Sequence, residues 1–254
     1  MSKIIIVLPT YNEIENLPLI SKALLELPVP DLNILVVDDN SPDGTGRLAD
    51  ELAEKTYPGR LFVLHRAEKN GLGPAYIAGF KKALDLNADY IIQMDADFSH
   101  QPKYILDLLK AVETHDLVIA SRFVRGGSVD ENWSFYRKAL SWFANRVYTP
   151  LILGIRVYDA TGGFRIWRRQ TLIGLDLERI RSSGYIFQVE MAYVASRLGF
   201  RVGEIPIHFP DRKLGQSKMD IRIQIEAALR VWQVRAHHSG LNPSMRRTQR
   251  YHEA

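Results

Sequence analysis

Five short runs of β-branched and other apolar residues, at 4–8, 33–37, 61–65, 90–94 and 117–121, punctuate the first half of the chain, and the segments between them carry helical spacing instead. A run such as Ile4-Ile5-Ile6-Val7-Leu8 has no polar alternation, so both faces of its strand must be covered. The intervening segments supply the cover. Leu17, Ile20, Leu24 and Leu27 mark one helical face, and Leu48, Leu52 and Ala53 mark the next after the turn Ser41-Pro42-Asp43-Gly44. This β-α alternation predicts an α/β, Rossmann-like fold with a central, mostly parallel sheet and helices on both faces. At 254 residues, a single domain suffices.

After residue 121 the alternation lapses. A long helical stretch is expected around 134–149, then a Thr-Gly-Gly turn before Phe164-Arg165-Ile166-Trp167, a helix near 187–198 and a strand near 202–207. A last helix over 221–234 has Ile221, Ile225, Ala228, Leu229 and Trp232 on one face. Periodicity stops at Ser239, so residues 1–238 read as one domain and 239–254 as a flexible basic tail. Its halves divide near residue 121, the first for a nucleotide and the second for an acceptor. With no cysteine, disulfides, thiolate metal sites and cysteine nucleophiles are excluded. No export leader and no span of ~18 to 20 apolar residues is seen. The net charge of +4 favours an anionic partner without choosing among nucleic acid, nucleotide phosphate and lipid surface.

Ligands of open α/β sheets bind beyond the carboxyl ends of the strands. Strand one runs into Pro9-Thr10-Tyr11-Asn12-Glu13, strand two into Asp38-Asp39 and strand four into Asp95-Ala96-Asp97. A dinucleotide fingerprint is absent after strand one, and Gly71-Leu72-Gly73-Pro74-Ala75-Tyr76 is only a partial echo with Tyr76 at the third glycine position. Asp95 and Asp97, two apart at a strand end, can share one hard dication, and Mg²⁺ or Mn²⁺ bound by two carboxylates completes its shell with water and substrate phosphate. The competing role for Asp97 or Ser99 is to cap the helix that begins near Pro102. His100 is expected to be a loop residue rather than a ligand.

The ordered set Pro9 to Glu13, Val37 to Thr45, Gly71-Leu72-Gly73, Asp95-Ala96-Asp97, Ser121-Arg122 and Gly215-Gln216-Ser217-Lys218 resembles family 2 glycosyltransferases of the dolichyl-phosphate or polyprenyl-phosphate mannose synthase type, in their soluble bacterial form, over residues 3–235. The resemblance implies a fold of the GT-A nucleotide-sugar type and inverting transfer of mannose from GDP-mannose to a polyprenyl monophosphate. It implies that Pro9, Tyr11, Glu13, Val37 and Asp39 hold the guanosine, with Asp39 accepting two hydrogen bonds from the guanine edge and Val37 flanking the base. Asp95, Ala96 and Asp97 then stand at the diphosphate and metal. Arg212 and Lys218, on a loop closing over the donor, join Asp97 and Arg122 as the catalytic set, and Arg122, Arg137 and Ser141 meet the acceptor phosphate. Serine occupies position 99, where some relatives have a metal-binding glutamine, which leaves the third protein ligand open.

Arg137 and Ser141 are one turn apart, so a helix offers both to one anion. Trp142, Phe143, Val147, Tyr148, Leu151 and Ile152, flanked by Arg137, Lys138 and Arg146, suit either a bilayer interface or core burial. The expected location is the cytoplasm, at the cytoplasmic face of a membrane, with nucleic acid excluded as a partner by the dispersed basic residues. Two alternatives stay open: a UDP-glucose-dependent polyprenyl-phosphate glucosyltransferase, and a nucleotide-sugar-binding membrane adaptor without turnover.

Overall fold

A computed structural model describes residues 2–184, 186–210 and 221–248, with the backbone alone for 221–227. All five apolar runs are strands: β1 (Ile4–Thr10), β2 (Leu32–Asp38), β3 (Leu61–His65), β4 (Tyr90–Gln93) and β5 (Leu117–Ser121). Further along come the short β6 (Ser128–Val129), β7 (Arg165–Arg168), β8 (Val202–Pro206) and β9 (His208–Phe209). The main sheet has the order β3-β2-β1-β4-β7-β5-β8, and β6 pairs with β9 apart from it. Only β7 is antiparallel to its neighbours, β4 and β5. The sheet is thus mostly parallel, and its two sequence halves interleave rather than sit side by side, because β7 from the second half lies between β4 and β5 from the first.

Strand parity divides the core. Ile5, Val7, Leu35, Val37, Ile91, Leu117, Ile119 and Trp167 face one side. There they meet α3 (Leu72–Asp85), α6 (Thr149–Leu153), α7 (Arg169–Leu175), α8 (Ile186–Arg197) and α9 (Ile221–His238). Ile4, Ile6, Leu8, Ile34, Val36, Ile92, Val118 and Ile166 face the other side, covered by α1 (Asn16–Leu25), α2 (Thr45–Glu51) and α4 (Ile105–Ala111). Two covered faces are what unbroken apolar strands require. The close approach of α3 to β1 depends on Gly79, where a side chain would strike Val7 and Val37.

One expectation for the second half is corrected, that of a tail flexible from Ser239, and the helical segments before it are present. The helical stretch around 134–149 is α5 (Phe135–Phe143), a π turn at Ala144–Tyr148 and then α6. Among the described side chains of α9, which begin at Ala228, Val231, Val234 and His238 are buried, while Leu229 is 63% and Trp232 52% exposed. The tail read as flexible from Ser239 is bonded to the domain at Arg246 and Arg247. Arg246 Nε donates to Leu198 O at 2.7 Å, Arg247 N to Gly174 O at 3.1 Å and Arg247 Nη1 to Asp176 at 3.1 Å. Bonds between guanidinium groups and carbonyls leave no apolar period to read.

Candidate active site

The order of the sheet reverses between β1 and β4, and it is at the carboxyl ends of strands at such a switch point that open α/β sheets hold their ligands in a crevice. The β1 and β2 loops are fastened together by polar bonds. Asp38, itself buried, accepts from Thr10 Oγ1 at 3.1 Å, from Ser41 Oγ at 2.6 Å and from Ser41 N at 3.1 Å. Asn12 N donates to Ser41 Oγ at 3.1 Å, Glu13 N to Thr45 Oγ1 at 3.0 Å and Ile14 N to Asp43 at 3.2 Å. Much of the Asp38-to-Thr45 motif is therefore scaffold. Gly46 is part of it, since a methyl there would lie 2.8 Å from the Asp38 carboxylate.

On this scaffold Tyr11 is 37% exposed, with Lys69 Nζ 3.4 Å from its ring centroid. Glu13 is half-buried and accepts from Asn16 Nδ2 at 2.7 Å, and Pro9 is half-buried at the end of β1. Asp39 is ion-paired with Arg66. Burial raises the Asp39 carboxyl above its ordinary range, and Arg66 offsets that only in part. Val37 is corrected: its side chain has no exposure and packs beneath α3, because strand parity turns it inward, so it cannot flank a base.

After β4, Asp95 and Asp97 are half-buried, whereas the Ala96 side chain points into the core, leaving its backbone as its means of meeting a ligand. Tyr76 Oη donates to Asp95 Oδ1 at 2.7 Å. Ser99 donates to Asp97 Oδ1 through Oγ at 2.6 Å and through N at 3.0 Å. The helical turn at Pro102 has Gln101 at its N-cap with no side-chain bond, so neither Asp97 nor Ser99 caps it. Phe98 has φ of 61°, a left-handed conformation costly for a bulky side chain and tolerated where the surroundings fix it. His100 ties the loop to the core: it is buried, stacks on Phe164 at 5.0 Å and accepts the Asp95 N–H at Nδ1. The loop position expected for His100 is thus a packed one. The donor set suits a hard dication. Among the described residues no group of three His, Cys, Asp or Glu gathers to cage an ion, whereas two adjacent carboxylates fit a cation whose shell is completed by a diphosphate.

At the end of β5, Arg122 is held rather than open. Its Nε and Nη2 donate to the two Asp159 oxygens at 2.8 and 2.6 Å, and Nη2 also to Thr161 Oγ1 at 2.8 Å. Burial alone would ease proton loss, but Asp159 outweighs it and raises the pKa of the guanidinium. Asp159 precedes β7, whose antiparallel course brings the loop before it to the crevice edge. Arg165 braces that loop. It is fully buried, donates to the carbonyls of Ala160, Gly162 and Gln188 at 2.7 to 2.9 Å, and burial lowers its pKa to about 9.

Beside Arg122 opens a groove of about 330 Å³, lined on α5 by Phe135, Lys138, Ala139 and Trp142 and opposite by Phe123, Ser128 and Val129. These α5 positions share one helical face. Arg137 and Ser141 occupy the adjoining face, with the Arg137 guanidinium 3.6 Å above the Trp133 ring. The structure therefore joins Arg122 to α5 but places Lys138, not Arg137 or Ser141, in the groove. Core burial fails for Trp142, Phe143, Val147 and Leu151, which are exposed, and holds for Ile152. Arg212 and Lys218 lie outside the described residues. Sequence reasoning missed Arg66, Tyr76 and Asp159. A basic residue directly after β3 and an acid just ahead of the Thr-Gly-Gly turn were the signals available.

Comparison with known proteins agrees with this geometry. Residues 5–175 match the family described as glycosyl transferase family 2. The undecaprenyl-phosphate mannosyltransferase of Micrococcus luteus is 47% identical over 241 residues, covering 94% of this chain and 97% of that one. The polyprenol monophosphomannose synthase of Mycolicibacterium smegmatis is 46% identical, covering 91% and 87%. Among solved structures, glucosyl-3-phosphoglycerate synthase of Mycobacterium tuberculosis with Mn²⁺, UDP and phosphoglyceric acid superposes with a TM-score of 0.65 at 17% identity, over 94% of this chain and 79% of that one. A Pyrobaculum calidifontis mannosyltransferase in complex with GDP-Man and Mn²⁺ gives 0.63 at 20%, over 96% and 66%. At such identities the structures speak to the fold, which is that of the GT-A glycosyltransferases.

Proposed function

The chain belongs to glycosyl transferase family 2, and from that footing we propose that it transfers mannose from GDP-mannose to a polyprenyl monophosphate with inversion, releasing GDP and polyprenyl-phosphate β-mannose. The observation that carries the reading is the groove running from Arg122 at the crevice edge to the exposed aromatic face of α5, apolar along its walls with Lys138 among them. A prenyl chain with one phosphate matches that lining. The names of the two mannosyltransferase relatives support the same acceptor class.

Within this reading Asp39 accepts from the guanine edge, Tyr11 flanks the nucleoside, and Pro9 and Glu13 shape the pocket floor. Asp95, the Ala96 backbone and Asp97 meet the diphosphate, and Mg²⁺ or Mn²⁺ held by the two carboxylates would supply positive charge beside the leaving group. Arg212 and Lys218 add cationic charge at the diphosphate. The acceptor phosphate, with a second pKa near ~6, is largely ionised at neutral pH and attacks the anomeric carbon without a general base. A bond forms from phosphate oxygen to that carbon as the bond to the GDP β-phosphate oxygen breaks, and the electron pair leaves with GDP. Arg122, clamped by Asp159, orders the junction of donor and acceptor, and α5 offers Lys138 with Arg137 and Ser141 on the next face. The protein itself orients two phosphates and excludes water. The lipid acceptor also calls for association with a membrane surface on the side where GDP-mannose is found.

The test is a panel of labelled donors against a short-chain polyprenyl phosphate. Label from GDP-mannose should enter lipid, metal-dependently, and Asp97→Ala should lower the rate by about 10² to 10³-fold, the scale of losing one transition-state electrostatic contact. Incorporation from UDP-glucose instead would assign the glucosyl alternative. Donor binding without turnover would leave only the adaptor reading, and full activity with excess chelator would remove the metal.

A further inference from the structure

One wall of the groove beside Arg122 is α5, yet none of the helix's own side chains is buried. Phe135 is 86% exposed, and Tyr136, Trp142 and Phe143 are exposed with it. Packing therefore does little to fix α5, and an element with so few buried apolar contacts opens at low local cost. Its ends must hold it. At the start, Ser134 caps the first turn and the Arg137 guanidinium lies over the buried Trp133 ring. At the finish the chain passes into the π turn at Ala144–Tyr148, where Thr149 N donates to Ala144 O. Turns wound this way are rare and gather at functional positions.

The side chain that the π turn buries is Asn145, 1% exposed. Its Nδ2 donates to Ser141 O, in the last turn of α5, at 3.1 Å, and its Oδ1 accepts from Thr161 N at 3.1 Å. Thr161 Oγ1 in turn accepts from Arg122 Nη2 at 2.8 Å. A path of hydrogen bonds, carried through Thr161, thus joins the groove wall to Arg122. The loop it crosses is firm. Tyr158 N donates to Glu204 at 2.8 Å, Arg165 Nη2 donates to Ala160 O at 2.7 Å, and both Asp159 oxygens hold Arg122. Arg146, next to Asn145, stacks on Tyr158 of the same loop at 4.1 Å. A buried amide that donates to one segment and accepts from another has no apolar substitute, because its loss leaves both partners unsatisfied.

We propose that Asn145 is a positioning residue of the acceptor groove, pinning the α5 wall to the loop that clamps Arg122 so that Lys138 and Arg122 face one phosphate. The inference rests on the reading that the groove takes a polyprenyl phosphate. Calorimetric binding of a short-chain polyprenyl phosphate, with GDP and Mn²⁺ present, tests it without turnover. Asn145→Asp, at pH 8 where the carboxyl is ionised, still accepts from Thr161 N but offers Ser141 O no hydrogen. It should weaken lipid-phosphate binding about tenfold, as loss of the Lys138 contact itself would, and leave the Kd for GDP-mannose near wild type. Asn145→Leu gives up both bonds and should lose as much or more. Joined to Lys138→Ala, Asn145→Asp should bind no worse than the weaker single variant, because a freed wall no longer presents the lysine. Amide hydrogen exchange over residues 135–143 should quicken in Asn145→Asp while that over β1 and β4 stays at the wild-type rate. Undiminished lipid-phosphate binding by Asn145→Asp, unchanged exchange in α5, or losses that multiply in the double variant would each overturn the proposal. An equal fall in GDP-mannose affinity would do so too, since Asn145 would then support the whole crevice. A wild type that does not bind the lipid phosphate fails the underlying reading and the inference with it, whereas a wild type that binds it beside unaffected variants fails the inference alone.

Discussion

Tyr76 has no exposure to solvent, yet its hydroxyl reaches Asp95, and the ring is held between Phe80 and Phe187 at centroid distances of 5.8 and 6.1 Å. Burial and the neighbouring carboxylates Asp95 and Asp97 push the phenol well above its ordinary pKa, so it stays a donor at any working pH. A carboxylate oriented by a buried donor is the usual support of a metal ligand, and loss of such support costs ~10 to 100-fold in metal affinity. Tyr76→Phe should therefore weaken Mn²⁺ binding in the GDP complex on that scale while the melting temperature moves little. An unchanged Mn²⁺ titration by electron paramagnetic resonance would refute it. Asp39 makes a different prediction. Guanine N–H groups need its ionised form, and burial sets its pKa above the ordinary 3.8. Affinity for GDP should be full above that raised pKa and fall as pH drops through it, whereas Asp39→Asn should bind weakly with a flat profile over the same range. Calorimetric titration across the acid limb decides this, and a wild-type curve parallel to that of Asp39→Asn would exclude Asp39. The acids themselves were legible from their places after apolar strands. The partners of Asp39, Asp95 and Arg122 were not, because Arg66, Tyr76 and Asp159 approach from segments 19 to 37 residues away, and spacing along a sequence carries no such information.

Among the elements, α5 forms one wall of the groove beside Arg122, where the proposed reaction puts the acceptor. Ser134 opens it, accepting from Arg137 N at 3.3 Å, and the helix then shows Lys138 to the groove and Arg137 to Trp133. Removing a cation that meets a phosphate forfeits a charge-assisted bond worth about 1.5 to 3 kcal/mol, or roughly tenfold or more in apparent affinity. Arg137→Ala and Lys138→Ala should each raise the KM for polyprenyl phosphate by that factor and leave the Kd for GDP-mannose near wild type. Equal loss of donor binding would move the residue to the nucleotide side, and unchanged transfer would remove it from the site. Elements differ in how plainly the sequence announces them. β1 and β2 are buried at nearly every position, so their runs are unbroken. On α9 Leu229 and Trp232 keep helical spacing as well as Val231 and Val234 do, and periodicity does not say which of two apolar stripes meets the core. The reversed direction of β7 is likewise silent in its residues, being set by the long excursion through α5 and α6.

On the scale of the whole molecule, the carboxylate of Glu190 joins parts that the sequence keeps apart. From α8 it receives His238 of α9 and the backbone N–H groups of Arg181 and Ser182, at 2.6 to 3.2 Å. The Ser182 carbonyl lies so close to Gly73 that a side chain there would stand 2.7 Å from it. Gly73 opens α3, the helix that carries Tyr76 to Asp95. One buried acid thus connects the docked C-terminal helix to the start of α3 and, through it, to the candidate metal carboxylates. Burial alone would raise the Glu190 pKa, but bonds from His238, Ser182 and Arg181 prevail and lower it. A carboxyl with a depressed folded pKa adds stability that is complete above its unfolded value, near 4.5, and disappears as pH falls through the folded value. Glu190→Gln keeps the shape but gives up the charged acceptor, so it should destabilise by about 1 to 3 kcal/mol at neutral pH. The deficit should shrink as pH falls below 4.5, where the wild type loses the same contribution. Urea unfolding of both proteins at neutral and acid pH measures the difference, and a deficit that is absent at neutral pH, or constant into acid, would show that Glu190 fills space there without joining the two halves by its charge.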